Sequence, residues 1–257
     1  MALRRVKAIV EYDGTRYLGF QAQTRGDTIQ GELERALAQI TGERVPIVGA
    51  GRTDAGVHAT GQVISFATGW ARSLVELGRA LNARLPGDIA VREVSEVPWA
   101  FHARKSALRR EYRYTILNRA LRSPKHRLYA HHWSGPLDPL AMQAACQRIE
   151  GMHDFSGFGQ APAGENTARQ IYRADCQRQG EFIYIEVEAN AFLRRMMRRL
   201  VAGLLQVGSG KMSPDEFGEI LEAPDRRRIK GLAPSQGLCL TRVDYAESWV
   251  GVDISSW

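Results

Sequence analysis

Cysteine is scarce in this 257-residue chain: Cys146, Cys176 and Cys239 are widely spaced, odd in number and in no CxxC pair. That pattern argues against a disulfide framework or a cysteine-rich zinc site and fits a reducing cytoplasm. Long apolar runs are missing too, and none approaches the ~20 residues needed to span a bilayer. The opening Met1-Ala-Leu-Arg-Arg-Val-Lys leads straight into a strand-like pattern, so no secretory leader is expected. Lysine is rare: only Lys7, Lys105, Lys125, Lys211 and Lys230 among 35 Lys+Arg. GC-rich codon usage would produce that bias by itself. It would not explain where acid is lacking. Between His102 and His132, nine cations (Arg104, Lys105, Arg109, Arg110, Arg113, Arg119, Arg122, Lys125, Arg127) face one acid, Glu111, while the whole chain carries only +7. Such a stretch is either a polyanion footprint or a solvated basic face.

A hydrophobic fraction of 44% with 25% charged residues belongs to a folded protein and excludes a disordered tail. At roughly 150 residues per domain, the length allows one large or two small domains. Arg5–Tyr12 reads as a strand with Val6, Ala8, Val10 and Tyr12 on one face. A helix follows, capped by Thr28, striped by Ile29, Leu33, Ala36, Leu37 and Ile40, and ended by Gly42. Strands are expected over 44–50, 62–68 and 89–97. Ser73 and Glu76 form a capping box for a helix through Leu74, Leu77, Leu81 and Leu85, stopped by Pro86-Gly87. The order is β-α-β-β-α-β, that of a ferredoxin-like domain.

The remainder repeats that order with one helix inserted. Strand 111–117 precedes a helix from Asp138-Pro139 to Glu150, a hairpin of 169–178 and 182–189, helices from Phe192 to Val207 and from Ser213, and strand 238–245. The fold class is therefore α+β: two ferredoxin-like domains, 1–100 and 101–257, packed side by side and meeting near Pro98–His102.

The densest unusual segment is Gly49-Ala-Gly51-Arg52-Thr53-Asp54-Ala-Gly56-Val-His58-Ala-Thr60-Gly61, between two expected strands. Glycines permit sharp turns and close approach, and a loop between strands can present a rigid side chain. Asp54 follows Arg52 by two residues, and a nearby cation keeps a carboxylate ionised. The plain alternative is a glycine turn with a capping aspartate. A dinucleotide fingerprint is excluded, since the third glycine is missing and a strand follows. Gly208-Ser-Gly210-Lys211 imitates part of a phosphate loop, but Leu205 and Met212 stand where glycine and Ser/Thr are required. The six histidines show no helical metal spacing, and there is no GxSxG elbow. On the helix from Phe192, Arg194 and Arg198 fall at the edge of the apolar arc, whereas Arg195 and Arg199 point away from it. Tyr112, inside the basic stretch, is either a platform for a nucleobase or a core aromatic.

Together these segments resemble the tRNA pseudouridine synthase A family. The resemblance rests on Tyr12-Asp-Gly-Thr-Arg-Tyr-Leu-Gly-Phe-Gln-Ala-Gln, Thr28-Ile-Gln-Gly-Glu-Leu-Glu, Gly51-Arg-Thr-Asp-Ala-Gly-Val-His-Ala and Asn82-Ala-Arg-Leu-Pro. Phe101-His-Ala-Arg, Glu111-Tyr-Arg-Tyr, His153-Asp-Phe-Ser-Gly-Phe, Ala189-Asn-Ala-Phe-Leu-Arg-Arg-Met-Met-Arg and Gly237-Leu-Cys-Leu continue it in family order. Phe20 stands where the family commonly has tryptophan, and the tail 249–257 has no counterpart. The resemblance implies a pseudouridine synthase fold with its active-site cleft between the domains. It implies isomerisation of uridine to pseudouridine in the tRNA anticodon stem-loop (positions 38, 39 and 40), with no cofactor and no metal. It makes Asp54 the nucleophile, Tyr112 the base-contacting tyrosine, Arg198 the partner of the aspartate and Arg52 the arginine that displaces the target base. A cytoplasmic homodimer with tRNA as partner is implied as well. A non-catalytic tRNA binder and a general nucleic-acid-binding protein are the rival readings; the intact Asp54, Tyr112 and Arg198 set weighs against the first.

Overall fold

The computed structural model describes residues 3–161 and 166–249. The chain divides into two compact units, Met1–Leu108 with Leu240–Trp257, and Arg109–Cys239. The expected boundary at 100/101 therefore falls eight residues further on, and the last strand is grouped with the first unit. That strand, β10 (Leu238–Tyr245), is hydrogen-bonded to β3 (His58–Thr68) of the same unit.

In the first unit, β1 (Arg4–Tyr12) pairs antiparallel with both β3 and β4 (Ile89–Glu96). A two-residue β2 (Val48–Gly49) adds to β3. Helix α1 (Ile29–Thr41) starts where Thr28 accepts the Gly31 N–H and stops at Gly42, whose φ of 74° suits glycine. Helix α2 (Leu74–Asn82) opens on the expected Ser73/Glu76 capping box. Its last residue, Asn82, exchanges two side-chain hydrogen bonds of 2.7 Å with the Val91 backbone, and the Leu85 N–H still reaches the Leu81 carbonyl at 2.9 Å in the turn that follows. The expected strand 44–50 shrinks to β2. Side chains of α1 take the Ile47 backbone: Glu34 accepts its N–H at 3.0 Å and Gln30 donates to its carbonyl at 3.2 Å.

The predicted stripes are buried: Val6, Ala8 and Val10 of β1, Leu33 and Leu37 of α1, Leu77 of α2. A second cluster was not legible in the sequence. Ala50, Val63, Val97, Phe101 and Ala103 gather with Ile9, Val243, Tyr245 and Trp249. The segment after β4 is tied to the sheet by Arg5 donating to the Phe101 carbonyl (3.1 Å) and Tyr245 donating to the Ala103 carbonyl (2.7 Å). Trp249, where the unmatched tail begins, sets its ring 5.9 Å from Phe101; residues 250–257 lie outside the described residues.

In the second unit, β5 (Ala107–Asn118) pairs antiparallel with β9 (Phe182–Ala189), β9 with β8 (Ala168–Gln179), and β8 with β7 (Gly151–Asp154). A short β6 (His131–Trp133) runs parallel to β5. The hairpin turns at Gly180, φ 60°, as the Gln179-Gly180 signal predicts. Helices α3 (Pro139–Arg148) and α5 (Pro214–Glu222) begin at their predicted caps, Asp138 and Ser213. Helix α4 (Met196–Gly208) does not begin at Phe192 as expected. Arg194 and Gln160 exchange backbone hydrogen bonds of 3.1 and 3.2 Å, which holds the preceding segment extended, and Arg195 turns into the helix at φ 64°. Buried Leu200, Leu204 and Val207 still follow the predicted apolar arc.

Candidate active site

The loop carrying Asp54 leaves the sheet after one last rung, Ala50 N–H to the Val63 carbonyl at 2.8 Å. From there the backbone is held by other segments of the first unit. Gln62, wholly buried on β3, donates to the Gly51 carbonyl at 2.7 Å and accepts the Gly51 N–H at 3.3 Å. The Phe20 N–H reaches the Thr53 carbonyl at 3.1 Å, the Gly56 N–H reaches the Tyr17 carbonyl at 3.3 Å, and the Val57 N–H closes the turn on the Asp54 carbonyl at 3.2 Å. Thr53 shares a 2.9 Å hydrogen bond with the Tyr12 hydroxyl. Asp54 sits half-buried on this frame and Arg52 is exposed.

Segment 12–20 is shaped to receive the loop. A Cβ on Gly14 would lie 1.9 Å from the Val57 carbonyl oxygen, and one on Gly19 would lie 2.6 Å from that of Thr53. Gly19 also has φ 98°, a conformation side chains disfavour. Phe20 is 2% exposed against Tyr12 and rests where only a glycine at position 49 leaves room. His58 Nδ1 accepts the Gly14 N–H at 3.1 Å and lies 3.2 Å from an Asp13 carboxylate oxygen. Two sequence segments thus form one structure, and the glycines at 14 and 19 mark the contact. That dependence is the signal through which Tyr12, Gln62 and His58, absent from the sequence-level candidates, could have been found.

Tyr112 and Arg198 belong to the second unit. Tyr112 lies on β5 opposite Val187, is only 7% exposed, and meets the Phe192 ring edge-on at 4.9 Å. Arg198 is half-buried on the first turn of α4; its Nε donates to the Ala233 carbonyl at 2.8 Å, and the Ala233 N–H returns to the Arg198 carbonyl at 3.0 Å. Its charge is felt at Tyr114, whose hydroxyl burial pushes up and Arg198 partly draws back. Arg199, expected to point away from the core, is half-buried and donates to the Arg226 carbonyl at 3.2 Å. Burial, with the charges of Arg226 and Arg195 beside it, lowers its pKa.

The basic stretch is also redistributed. On β5 and just beyond, Arg109, Arg113 and Arg119 pair with Glu188, Glu186 and Glu181 at 2.7, 2.6 and 2.9 Å. Arg110 is buried and donates to the Asn190 carbonyl at 2.6 Å, and Glu111 pairs with Arg173 at 2.9 Å. Alternate acids on β9 absorb alternate cations of β5 across the antiparallel register. Arg122, Lys125 and Arg127 are exposed in the following loop, where exposed Leu121 and Tyr129 flank them. No carboxylate among the described residues lies within ion-pair distance of these three. Arg104 and Lys105, just before β5 in the chain, are exposed as well, so the outward charge lies in the segments that flank the strand in sequence.

A carboxylate held on a braced loop, with a cation two residues away, can act as nucleophile, general base or stabiliser of a developing cation. These are the means of an enzyme, and relatives narrow its class. The model of the tRNA pseudouridine synthase family matches residues 8–104 and 145–246. The tRNA pseudouridine synthase A of Citrifermentans bemidjiense is 45% identical over 247 residues, covering 95% of this chain and 99% of that protein. Those of Roseiflexus castenholzii and Thermoanaerobacter sp. X514 are 46% and 43% identical, covering 95% of this chain and 92% and 100% of theirs. Among solved structures, an H/ACA RNP bound to a substrate RNA containing 2′-deoxyuridine aligns with 78% of this chain and 44% of that one, at 13% identity and a TM-score of 0.37. The chain belongs to the tRNA pseudouridine synthase family.

Proposed function

We propose that this protein isomerises uridine to pseudouridine in the anticodon stem-loop of tRNA, at positions 38, 39 and 40, with Asp54 as the nucleophile. The braced loop that presents Asp54, in a chain of this family, carries the reading. The reaction breaks the C1′–N1 bond, rotates the uracil, joins C5 to C1′ and moves the C5 proton to solvent while N1 gains one. No electrons are gained or lost, so the chemistry calls for no redox cofactor. An ionised carboxylate supplies the nucleophile at C1′ or C6. Tyr112 is assigned to the base, with it or a water taking the C5 proton, Arg198 to the aspartate, and Arg52 to displacement of the uridine from its stack, which costs a few kcal/mol.

The reading extends to architecture and partners. The order β1, α1, β2, β3, α2, β4 with antiparallel β4–β1–β3–β2 pairing supports a ferredoxin-like first domain. The order β5, α3, β8, β9, α4 supports a second, which carries the RNA-binding charge on the loop after β5. A cytoplasmic homodimer completes the proposal; among the described residues no helix is long and apolar enough to cross a membrane.

Tritium release from tRNA labelled at uridine C5 tests the reaction. Wild-type protein is expected to release label from an unmodified tRNA carrying uridines at 38–40, and Asp54→Asn to release none while still binding that tRNA. A wild type inert towards every tRNA defeats the enzyme reading. An active Asp54→Asn defeats the assigned nucleophile.

A further inference from the structure

Gln62 is the only wholly buried amide side chain among the described residues, on a strand whose neighbours Val63 and Ile64 are core residues. Leucine or methionine would fill that volume without a polar group to satisfy. Its amide instead spends both ends on a single residue: Oε1 accepts from the Gly51 N–H and Nε2 donates to the Gly51 carbonyl. Strand pairing stops one residue earlier, at Ala50, so Gln62 supplies by side chain the rung the strand no longer provides. The amide fits only one way round, because its N–H must meet the carbonyl.

The contact continues towards the carboxylate. Gln62 Nε2 also lies 3.4 Å from the Tyr12 hydroxyl, and Tyr12, 2% exposed, bonds Thr53 Oγ1 at 2.9 Å. Thr53 immediately precedes Asp54. Room for the link comes from an irregularity in the β1–β3 register between Val10 and Tyr12: Val10 faces Gln62, but Tyr12 faces Ala59.

We infer that Gln62 is a positioning residue for Asp54. It sets the backbone at Gly51 directly and at Thr53 through Tyr12, fixing where the carboxylate stands without touching the substrate. The inference rests on the proposed role of Asp54, and the test separates the two.

Four variants suffice: Gln62→Leu, Tyr12→Phe, the double variant, and Ser65→Ala. Ser65 is a control of equal burial on the same strand. Its hydroxyl accepts from Arg5 and from the Ala103 N–H at 3.2 Å each, away from the loop. Single-turnover tritium release is measured well below the lowest melting temperature, with KM and tRNA affinity determined alongside. Gln62→Leu is expected to slow the single-turnover step roughly 10- to 100-fold, as small misplacements of reacting groups do, with KM and affinity unchanged. Tyr12→Phe should lose less, and the double variant no more than Gln62→Leu alone. Ser65→Ala should melt earlier and turn over at the wild-type rate. Amide exchange should quicken across 51–57 in Gln62→Leu and stay as in wild type in Ser65→Ala. Wild-type turnover by folded Gln62→Leu overturns the inference, as does an equal slowing by Ser65→Ala. If Gln62→Leu does not fold, unchanged turnover and exchange in Tyr12→Phe overturn it. An inactive wild type would sink the proposed reaction alone, since exchange across 51–57 still reads the anchor.

Discussion

Two glycines with positive φ show how differently one residue type is used. Gly42 caps α1 at φ 74° with nothing within 4 Å of a Cβ, so Gly42→Ala carries only the left-handed backbone penalty, about 1–2 kcal/mol. Gly19 adds a collision with the Thr53 carbonyl oxygen at 2.6 Å, and relief of it must move the strut that holds Asp54. Gly19→Ala is therefore expected to lower the melting temperature more than Gly42→Ala and, unlike it, to lower turnover by the folded protein. Equal turnover in the two variants would show that the 12–20 segment does not set the loop. The same contrast explains what could be read at this scale. Glycine in the Asp54 loop announces a turn; glycine at 14 and 19 announces only freedom until its neighbour is known.

At the scale of elements, caps and apolar periods were legible because they depend on residues three or four apart. Thr28, Ser73, Asp138 and Ser213 each cap the helix their spacing predicts. Two departures, at the start of α4 and in the expected strand 44–50, share one cause: a partner outside the segment took the backbone. Gln160 holds Arg194 extended, and Glu34 and Gln30 occupy Ile47. Segment 12–20 depends on such a partner too. Asp88, just before β4, receives hydrogen bonds from Tyr17 at 2.6 Å and from Arg16, and its carbonyl accepts the Asp13 N–H. Burial pushes the Asp88 carboxyl up, but the Arg16 and Tyr17 hydrogen bonds outweigh it and hold the group below its ordinary value of 3.8. A carboxyl lowered on folding stabilises above its unfolded value, and that contribution is lost as pH falls through the folded one. The gap in melting temperature between wild type and Asp88→Asn should thus be full at neutral pH and close only as pH falls below the ordinary carboxyl range, through the lowered folded value. A gap independent of pH would mean that the carboxylate charge contributes nothing.

At the scale of the whole molecule, net charge is a poor guide to where a polyanion binds. Ion pairs with β9 neutralise Arg109 and Arg113 of β5, while Arg122, Lys125 and Arg127 face outward from the loop after it and Arg104 and Lys105 are exposed before it. Replacing the three in the loop after β5 with glutamine should reduce the slope of log affinity for tRNA against log salt by about 2, given roughly 0.7–0.9 per phosphate contact. Arg109→Gln and Arg113→Gln should leave the slope unchanged and lower the melting temperature instead. Filter binding across a salt series distinguishes them, and an unaltered slope in the triple variant removes the loop from the interface.

The shortage of cysteine, the basic stretch, the capped helices and the Asp54 loop were determined by the sequence itself, because composition and short-range spacing carry them. The family was legible for the same reason, through motifs such as Gly51-Arg-Thr-Asp-Ala-Gly-Val-His-Ala. Tertiary structure alone decided that Tyr12 and Gln62, 50 residues apart, meet beneath that loop, that β10 joins the first unit, and that most of the β5 charge is cancelled. Each is a matter of which distant backbone group or opposite charge reaches a residue first. Local spacing cannot encode that competition; hydrogen bonding and ion pairing in the folded chain resolve it.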